Sequence, residues 1–456
     1  MQKQSLFLKW SNAFKIAFLF FLFIACKAPK ATLTNNIAIP QVSIPQTNSN
    51  NLDSILAQAH YGICIFDVQK NSFLQSYQSN KYFIPASNLK IATCYAALKY
   101  LTDSLVGIYY FEDDTSIQIK GAADPTFLNL NFEQQPILNW LQTKSSKKIY
   151  LFNSNFNTKA YANGWSWDDY LEPFMTERSS FPINENLVTF NYSNGFKTIP
   201  KYFKRNISST FDASNQNFQF NVIKKLGANT FDIFPGKNTQ KKIPFATEAE
   251  NELLSNQLTA QLLSDTLKQT VNSRPIFSNL KWKTLYSQPK DAVLQSMMFR
   301  SDNFIAEQLL LMVSNELFNE MNESKLIQYI LNNDFSDLPQ APKWVDGCGL
   351  SRYNLISPED FVSILNKMKS EFGWQRISKI FPKGNEGTLK NMFLKNPNQV
   401  FAKSGTLSNN YSLSGYLIAN SGKEFIFSIM VNNHQLKLQQ VKTALENYLT
   451  KIIEEN

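Results

Sequence analysis

The sequence predicts an α+β fold in which an antiparallel sheet packed with helices is split by a long β-rich insertion. Three observations predict it. Helical periodicity and strand-like alternation occur together at both ends of the chain. The stretch 104–284 between them differs in composition, being dominated by aromatics, Asn, Thr and Lys. The 456 residues, 43% of them hydrophobic, suffice for a large core and for two domains or one domain with an insertion.

The elements follow in order. Residues 53–60 read as a short helix. Strands at 61–68 and 72–78 are joined by the polar turn Gln69-Lys70-Asn71. After Pro85-Ala86, the apolar positions Leu89, Ile91, Ala92, Tyr95, Ala96, Ala97 and Leu98 predict a buried helix opening at Ser87. Within the insertion, 148–152, 187–192 and 217–222 read as short strands. Thr247 with Glu250 reads as the capping box of one clear helix carrying Leu254, Leu258 and Leu262. Residues 291–298 and 304–313 are helical in pattern and flank the turn Ser301-Asp302-Asn303. Ser357-Pro358-Glu359-Asp360 predicts another helix start, with proline at the first helical position. Stretches 400–406, 412–418 and 425–431 pair as antiparallel strands, and Val441, Leu445, Leu449 and Ile452 mark one face of a terminal helix. The expected division is a targeting segment (1–26), a flexible tether rich in Pro, Asn, Thr, Ser and Gln (27–50), a catalytic domain in two parts (51–103 and 285–456), and the insertion (104–284).

Lys and Arg total 45 against 36 Asp and Glu, a formal net charge of +9. That excess serves solubility or attraction to an anionic surface or polymer. No long basic run interleaves with aromatics, which argues against nucleic acid as a partner. Lys3, Lys9 and Lys15 precede an apolar stretch at 16–25 that is too short to span a bilayer. It ends Phe23-Ile24-Ala25-Cys26. This resembles a bacterial lipoprotein signal, in which the cysteine, here Cys26, is lipidated and anchors the chain to a membrane. Phe23 departs from the usual leucine, and the alternative is an ordinary signal peptide. Beyond Cys26 the chain holds Cys64, Cys94 and Cys348, an odd number that implies no disulfide framework.

Three short motifs carry the chemistry: Ser87-Asn88-Leu89-Lys90, Ser301-Asp302-Asn303 and Lys403-Ser404-Gly405-Thr406. Serine is a poor nucleophile until a base takes its proton. The chain has only two histidines, His60 and His434, neither in a triad context, and it has no GxSxG elbow. Lysine serves as a base when burial or a second cation lowers its pKa. Spacing of three places Ser87 and Lys90 one helical turn apart, with apolar flanks Leu89, Ile91 and Ala92. Ser301 is placed to relay a proton and Asn303 to hold Lys90 and a substrate amide. Lys403 supplies charge, and Gly405 lets a substrate backbone approach closely. Each motif also has an ordinary structural reading: an N-cap for Asp302 or Asn303, a strand end for Lys403. Decoys exist at Ser145 with Lys148 and at Ser278-Asn279-Leu280-Lys281. Ser145 sits in a charged run and Ser278 in a strand-like stretch. No metal or cofactor is called for.

In this order the motifs resemble the serine penicillin-binding enzymes, and more narrowly the D-alanyl-D-alanine carboxypeptidase/endopeptidase family with a large insert between the first two motifs. Gly121-Ala122-Ala123-Asp124-Pro125-Thr126, Gly164-Trp165-Ser166-Trp167-Asp168-Asp169 and Asp346-Gly347-Cys348-Gly349-Leu350-Ser351-Arg352 resemble that family's GxGDPT, GWxWDD and DGSGLSR stretches. Ala122-Ala123 and Cys348 depart from it. The resemblance implies a penicillin-binding/β-lactamase-like transpeptidase domain, peptidoglycan peptides as substrate and β-lactams as acylating inhibitors. It further implies Ser87 as the acylated nucleophile, Lys90 as its base, and Ser301 and Asn303 completing the proton network, with Lys403 supporting it. Ser404 and Thr406 would bind the substrate carboxylate, the N–H groups of Ser87 and Thr406 would form the oxyanion hole, and Asp169 would contact a diaminopimelate amino group. A β-lactamase and a catalytically idle scaffold are the alternatives.

Overall fold

The computed structural model describes residues 50–456 apart from 153, 193–195, 211–219, 235, 237–239 and 275–279. The targeting segment, most of the tether, Cys26 and Ser278 lie outside the described residues.

The chain enters through α1 (Asn50–Ile55) and turns back on itself in β1 (His60–Asp67) and β2 (Ser72–Tyr77). A 3-10 turn, Ala86–Leu89, leads into α2 (Lys90–Tyr100). The expected helix does not open at Ser87. That residue sits in the tighter turn, and the α-helix begins at Lys90.

The central region follows: β3 (Ser104–Glu112), β4 (Ser116–Gly121), α3 (Pro136–Gln142), β5 (Lys148–Phe152), β6 (Leu187–Tyr192), β7 (Phe196–Ile199), β8 (Ile207–Thr210), β9 (Asn221–Lys224), β10 (Phe231–Phe234), β11 (Gln240–Pro244), α4 (Glu252–Leu267), β12 (Val271–Arg274) and β13 (Lys283–Pro289). Its described strands make three sheets, ordered β12-β5-β4-β3-β13, β11-β6-β7 and β8-β10-β9. The first of these brings β13 antiparallel to β3, so the two ends of the region lie side by side. Among its described residues two α-helices occur, because α3 is present as well as α4. The start of α4 also differs from the expected Thr247–Glu250 box. Asn251 is the cap, its side chain accepting Leu254 N–H at 3.3 Å. Tertiary partners claim the expected pair: Thr247 donates to Glu177, and Glu250 accepts Ala160 N–H.

Helices α5 (Lys290–Arg300), α6 (Asn303–Phe318), α7 (Glu323–Asn333), α8 (Pro358–Phe372) and α9 (Trp374–Ile380) precede β14 (Val400–Leu407), β15 (Asn410–Ile418) and β16 (Glu424–Asn432), and α10 (Leu438–Glu455) closes the chain. Ser357 caps α8 in a capping box with Asp360, as the sequence predicts. β14, β15, β16, β1 and β2 form one antiparallel sheet in that order. Apolar residues cover both of its faces along the central strands, whereas the edge strand β2 is largely exposed. On β16, Ile426 and Met430 join the core with α2, α5, α6 and α8, while Phe427, Ile429 and Val431 join the core of α1 and α10. Val441, Leu445 and Leu449 of α10 are fully buried in that second layer. Cys64, Cys94 and Cys348 are buried free thiols. Among the described residues, no helix is long and apolar enough to cross a membrane.

Candidate active site

The three motifs converge where the end of β14 meets the 3-10 turn. Gly405 allows this approach. A Cβ there would lie 2.7 Å from Pro85 O and 2.8 Å from Asn88 N. Ser412 of β15 donates to Pro85 O at 2.5 Å and pins the turn from the sheet side. Just before the nucleophile candidate, Ala86 is held at φ 49°, a left-handed conformation that costs a non-glycine residue about 1–2 kcal/mol. Strain of this kind survives only where the surroundings over-determine it. Here the neighbour is Gly349, whose own φ is +83° and where a Cβ would collide with Ala86 O at 1.9 Å.

A 3-10 turn has three residues per turn, so side chains at i and i+3 eclipse. Ser87 and Lys90 have that spacing, and Lys90 Nζ lies 2.9 Å from Ser87 Oγ. The same Nζ donates to Asn303 Oδ1 at 2.7 Å and to Cys348 O at 2.7 Å. Asn303 opens α6 and Asp302 caps it, accepting Ile305 N–H at 3.0 Å. The Asn303 amide is oriented by its Nδ2 donating to Phe174 O at 3.0 Å, which turns Oδ1 toward Lys90. Ser301, the left-handed C-cap of α5 at φ 54°, is engaged elsewhere: its Oγ accepts from Lys403 Nζ at 3.0 Å. Lys403 Nζ also donates to Ser404 O. The network thus has two groups, Ser87–Lys90–Asn303 and Ser301–Lys403.

Both lysines are fully buried. Burial pushes the Lys90 amine below the ordinary lysine range, while the acidic groups Cys348, Asp346, Asp302 and Glu307 act the other way. Burial lowers Lys403 as well, and the charge of Lys90 adds to the effect. The sequence predicts the lowering of Lys90 from its burial against Leu89 and Ile91, with Lys403 as a second cation nearby. In the structure, burial of Lys90 itself is the main cause.

A cleft of about 640 Å³ opens over the turn, lined by Ser87, Asn303, Thr406, Asp169, Arg352 and Phe174 among others. Ser404 is buried and Thr406 exposed at the cleft. Asp169 lies in a 3-10 turn of the central region, and burial with Asp168 and Glu172 raises its carboxyl while Arg352 opposes that. Neither histidine joins the site. His60 stacks on Phe83 at 4.2 Å, and His434 is buried with Nδ1 3.2 Å from Leu436 O. A second hollow of about 490 Å³ lies on the central region beside Leu130, Ile199, Lys201 and Lys268 and contains none of the motif residues.

The loop Asp346–Ser351 forms the wall behind Lys90. Asp346 collects Gly349 N–H, Ser351 N–H, Asn354 Nδ2 and Trp165 Nε1, at 2.7–2.9 Å. The last bond joins this loop to the Gly164–Asp169 segment of the central region. Glu307, Asp346 and Cys348 place donor atoms within 4.8 Å of one another, a grouping able to hold a cation. Protein groups engage each of them, with Arg178 and Lys90 supplying the positive charge beside them. Glu307 and Arg178 were not singled out from the sequence. One signal for Glu307 was available: Glu307-Gln308 interrupts an otherwise apolar helix, which requires buried partners.

Residues 47–452 match the model of the D-Ala-D-Ala carboxypeptidase 3 (S13) family. The chain belongs to this family. It is therefore a serine DD-peptidase, a hydrolase of the penicillin-binding class. Similar to this S13 chain is the D-alanyl-D-alanine carboxypeptidase DacB of Haemophilus influenzae, 23% identical over 84% of this chain and 88% of the relative. A penicillin-sensitive carboxypeptidase A of Dictyostelium discoideum is 23% identical over 77% of this chain and 78% of its own. Among solved structures, penicillin-binding protein 4 of H. influenzae shares the fold with a TM-score of 0.71 at 18% identity, covering 90% of this chain and 100% of that one. A predatory peptidoglycan endopeptidase of Bdellovibrio bacteriovorus follows at 0.52 and 16% identity, covering 87% and 93%. The departures within the S13 stretches are now placed. Ala123 sits at φ 62°, where glycine carries no Cβ penalty. Cys348 hydrogen-bonds Lys90 through its backbone carbonyl.

Proposed function

We propose that this S13 enzyme cleaves the D-Ala–D-X bond of peptidoglycan stem peptides through an acyl-enzyme on Ser87. One observation carries the reading: a fully buried amine at 2.9 Å from Ser87 Oγ whose other two contacts are pure acceptors. A neutral amine has two N–H bonds and one lone pair. Asn303 Oδ1 and Cys348 O take the two N–H bonds, so the lone pair is left for the Ser87 hydroxyl. Lys90 then accepts the Ser87 proton as Oγ attacks the substrate carbonyl carbon. The backbone N–H groups of Ser87 and Thr406 stabilise the oxyanion. Collapse breaks the peptide bond, and the departing amine takes the proton from Lys90. Water releases the acyl group by the reverse route. Asn303 holds Lys90 in the proton network, Ser301 with Lys403 forms a second group beside it, Ser404 and Thr406 receive the terminal carboxylate, and Asp169 meets an amino group on the stem peptide. Penicillin-binding protein 4 of H. influenzae has been solved in complex with a β-lactam. The same Ser87 attack on a lactam carbonyl makes β-lactams acylating inhibitors here.

Digestion of purified muropeptides, with products read by mass spectrometry, tests the reading. Loss of a terminal D-alanine or scission of cross-links is expected, and unchanged muropeptides would sink it. Rapid nitrocefin turnover without a stable acyl-enzyme would instead make the chain a β-lactamase.

The site of action is the cell envelope. Within it, we place the enzyme in the periplasm, held by a lipid on Cys26 and a tether from 27 to 50. Cys26→Ser is expected to move the protein from the membrane to the soluble fraction, and retention in the membrane would refute the anchor. The central region, from β3 to β13, is read as a domain inserted into the catalytic one.

A further inference from the structure

Glu307 stands in the middle of α6 between Ile305, Ala306, Leu309 and Leu310, all fully buried, and is itself 1% exposed. Its carboxylate makes two directed contacts. Oε1 accepts Cys348 N–H at 2.8 Å, and Oε2 accepts Arg178 Nη1 at 3.3 Å. Arg178 comes from the central region and is fully buried. It also pairs with Glu323 of α7 at 3.1 Å and donates twice to Lys159 O. On the other side of Cys348, its carbonyl accepts Lys90 Nζ. The N–H of that same peptide group, carried by Gly349, donates to Asp346 Oδ1 at 2.9 Å. Two carboxylates therefore fix the two peptide groups on either side of the Cys348 Cα, and one of those groups takes a Lys90 N–H.

We propose that Glu307 is a positioning residue for the Lys90 amine: it fixes Cys348 so that the Cys348 carbonyl binds Lys90, and its charge sets how readily Lys90 gives up its proton. The assignment rests on Lys90 being the base. The groups that face Glu307 are Lys90 of α2, Arg178 of the central region, Glu323 of α7, and Asp346 and Cys348 of the loop. Asp302 at the start of α6 acts on Lys90 from another side, and Lys90 in turn lowers Lys403 of β14. Burial raises the Glu307 carboxyl to about 7; Asp346 and Glu323 add to this, and Arg178 opposes it. The sign follows. Ionised Glu307 favours the ammonium form of Lys90, so loss of that charge makes Lys90 easier to deprotonate.

The test is the pH dependence of acylation by a fluorescent penicillin, measured on the full chain from about pH 5 to about pH 9. Glu307→Gln keeps an acceptor for Cys348 N–H and removes the charge. Its acid limb is expected to move to lower pH by about one unit. Glu323→Gln leaves the Cys348 contact intact and removes a charge that raises Glu307, so Glu307 stays ionised further into acid. Its acid limb is expected to move the opposite way, to higher pH, by a smaller amount. A purely structural ion-pair cluster would lower the melting temperature of both variants and leave the normalised profiles on that of the wild type, which would overturn the assignment. If Glu307→Gln does not fold, the direction of the Glu323→Gln shift decides alone. Lys90→Arg run alongside separates the two failures: near-normal acylation there overturns the base, whereas a dead Lys90→Arg beside an unmoved Glu307→Gln profile overturns only the role of Glu307.

Discussion

Acylation by a fluorescent penicillin is expected to fall about 10³-fold in Lys90→Arg, with a cooperative thermal transition retained. The buried site asks for a group that donates twice and then accepts a proton. Arginine can make the donations to Asn303 Oδ1 and Cys348 O, but it does not deprotonate in proteins. The Ser87 hydroxyl would then face a permanent cation and keep its proton. Stopped-flow acylation rates on the purified variant decide this. A rate within a few-fold of the wild type would remove Lys90 as the base, because no other group contacts Ser87 Oγ in this manner among the described residues.

The second large effect is total. Ser87→Ala should abolish the covalent penicillin adduct in the intact-mass spectrum, since no oxygen remains to form the ester. The mutation removes one hydroxyl at the mouth of the cleft, so stability should change by less than about 1 kcal/mol. Ser278→Ala and Ser145→Ala should label as the wild type does. Ser145 lies in the turn before β5, away from the cleft lining. An adduct that persists in Ser87→Ala and disappears in Ser278→Ala would move the nucleophile to the decoy.

Much of this could be read from the chain because the relevant forces are local. The β14–β16 hairpins follow from alternation, and α8 from a cap whose partners are three residues apart. The motif serines and lysines could be read because order and flanks set them apart from the decoys. What could not be read depends on distant partners. Thr247 and Glu250 have the spacing of a capping box, yet Glu177 and the Ala160 N–H outcompete the local bonds and the cap falls to Asn251. The shift from an α-turn to a 3-10 turn at Ser87 depends on Pro85 and Asn88 meeting Gly405, more than three hundred residues away. The splitting of Ser301 from the Lys90 group depends on where Lys403 arrives, which no spacing encodes. The buried link from Arg178 to Glu307 joins residues 129 apart in sequence; the apolar helix around Glu307 signals a buried partner but does not name Arg178.

The sheet order has a consequence for how the protein comes into being. β1 is an interior strand only because β16 lies beside it, with His60 opposite Asn432. While the chain is being synthesised, β1 and β2 can form no more than a two-stranded ribbon, which is marginal in water. The turn bearing Ser87 also lacks the strand that pins it. The catalytic core must therefore assemble late, after nearly all of the sequence is available, with a large loop-closure entropy and correspondingly slow folding. Its apolar strands remain exposed in the meantime and need protection from aggregation. A C-terminal truncation ahead of β16 would remove the centre of the sheet, not a trimming at its edge. The same delay suits the export proposed for this enzyme, because a chain that cannot complete its core early stays extended enough to be threaded through a membrane first.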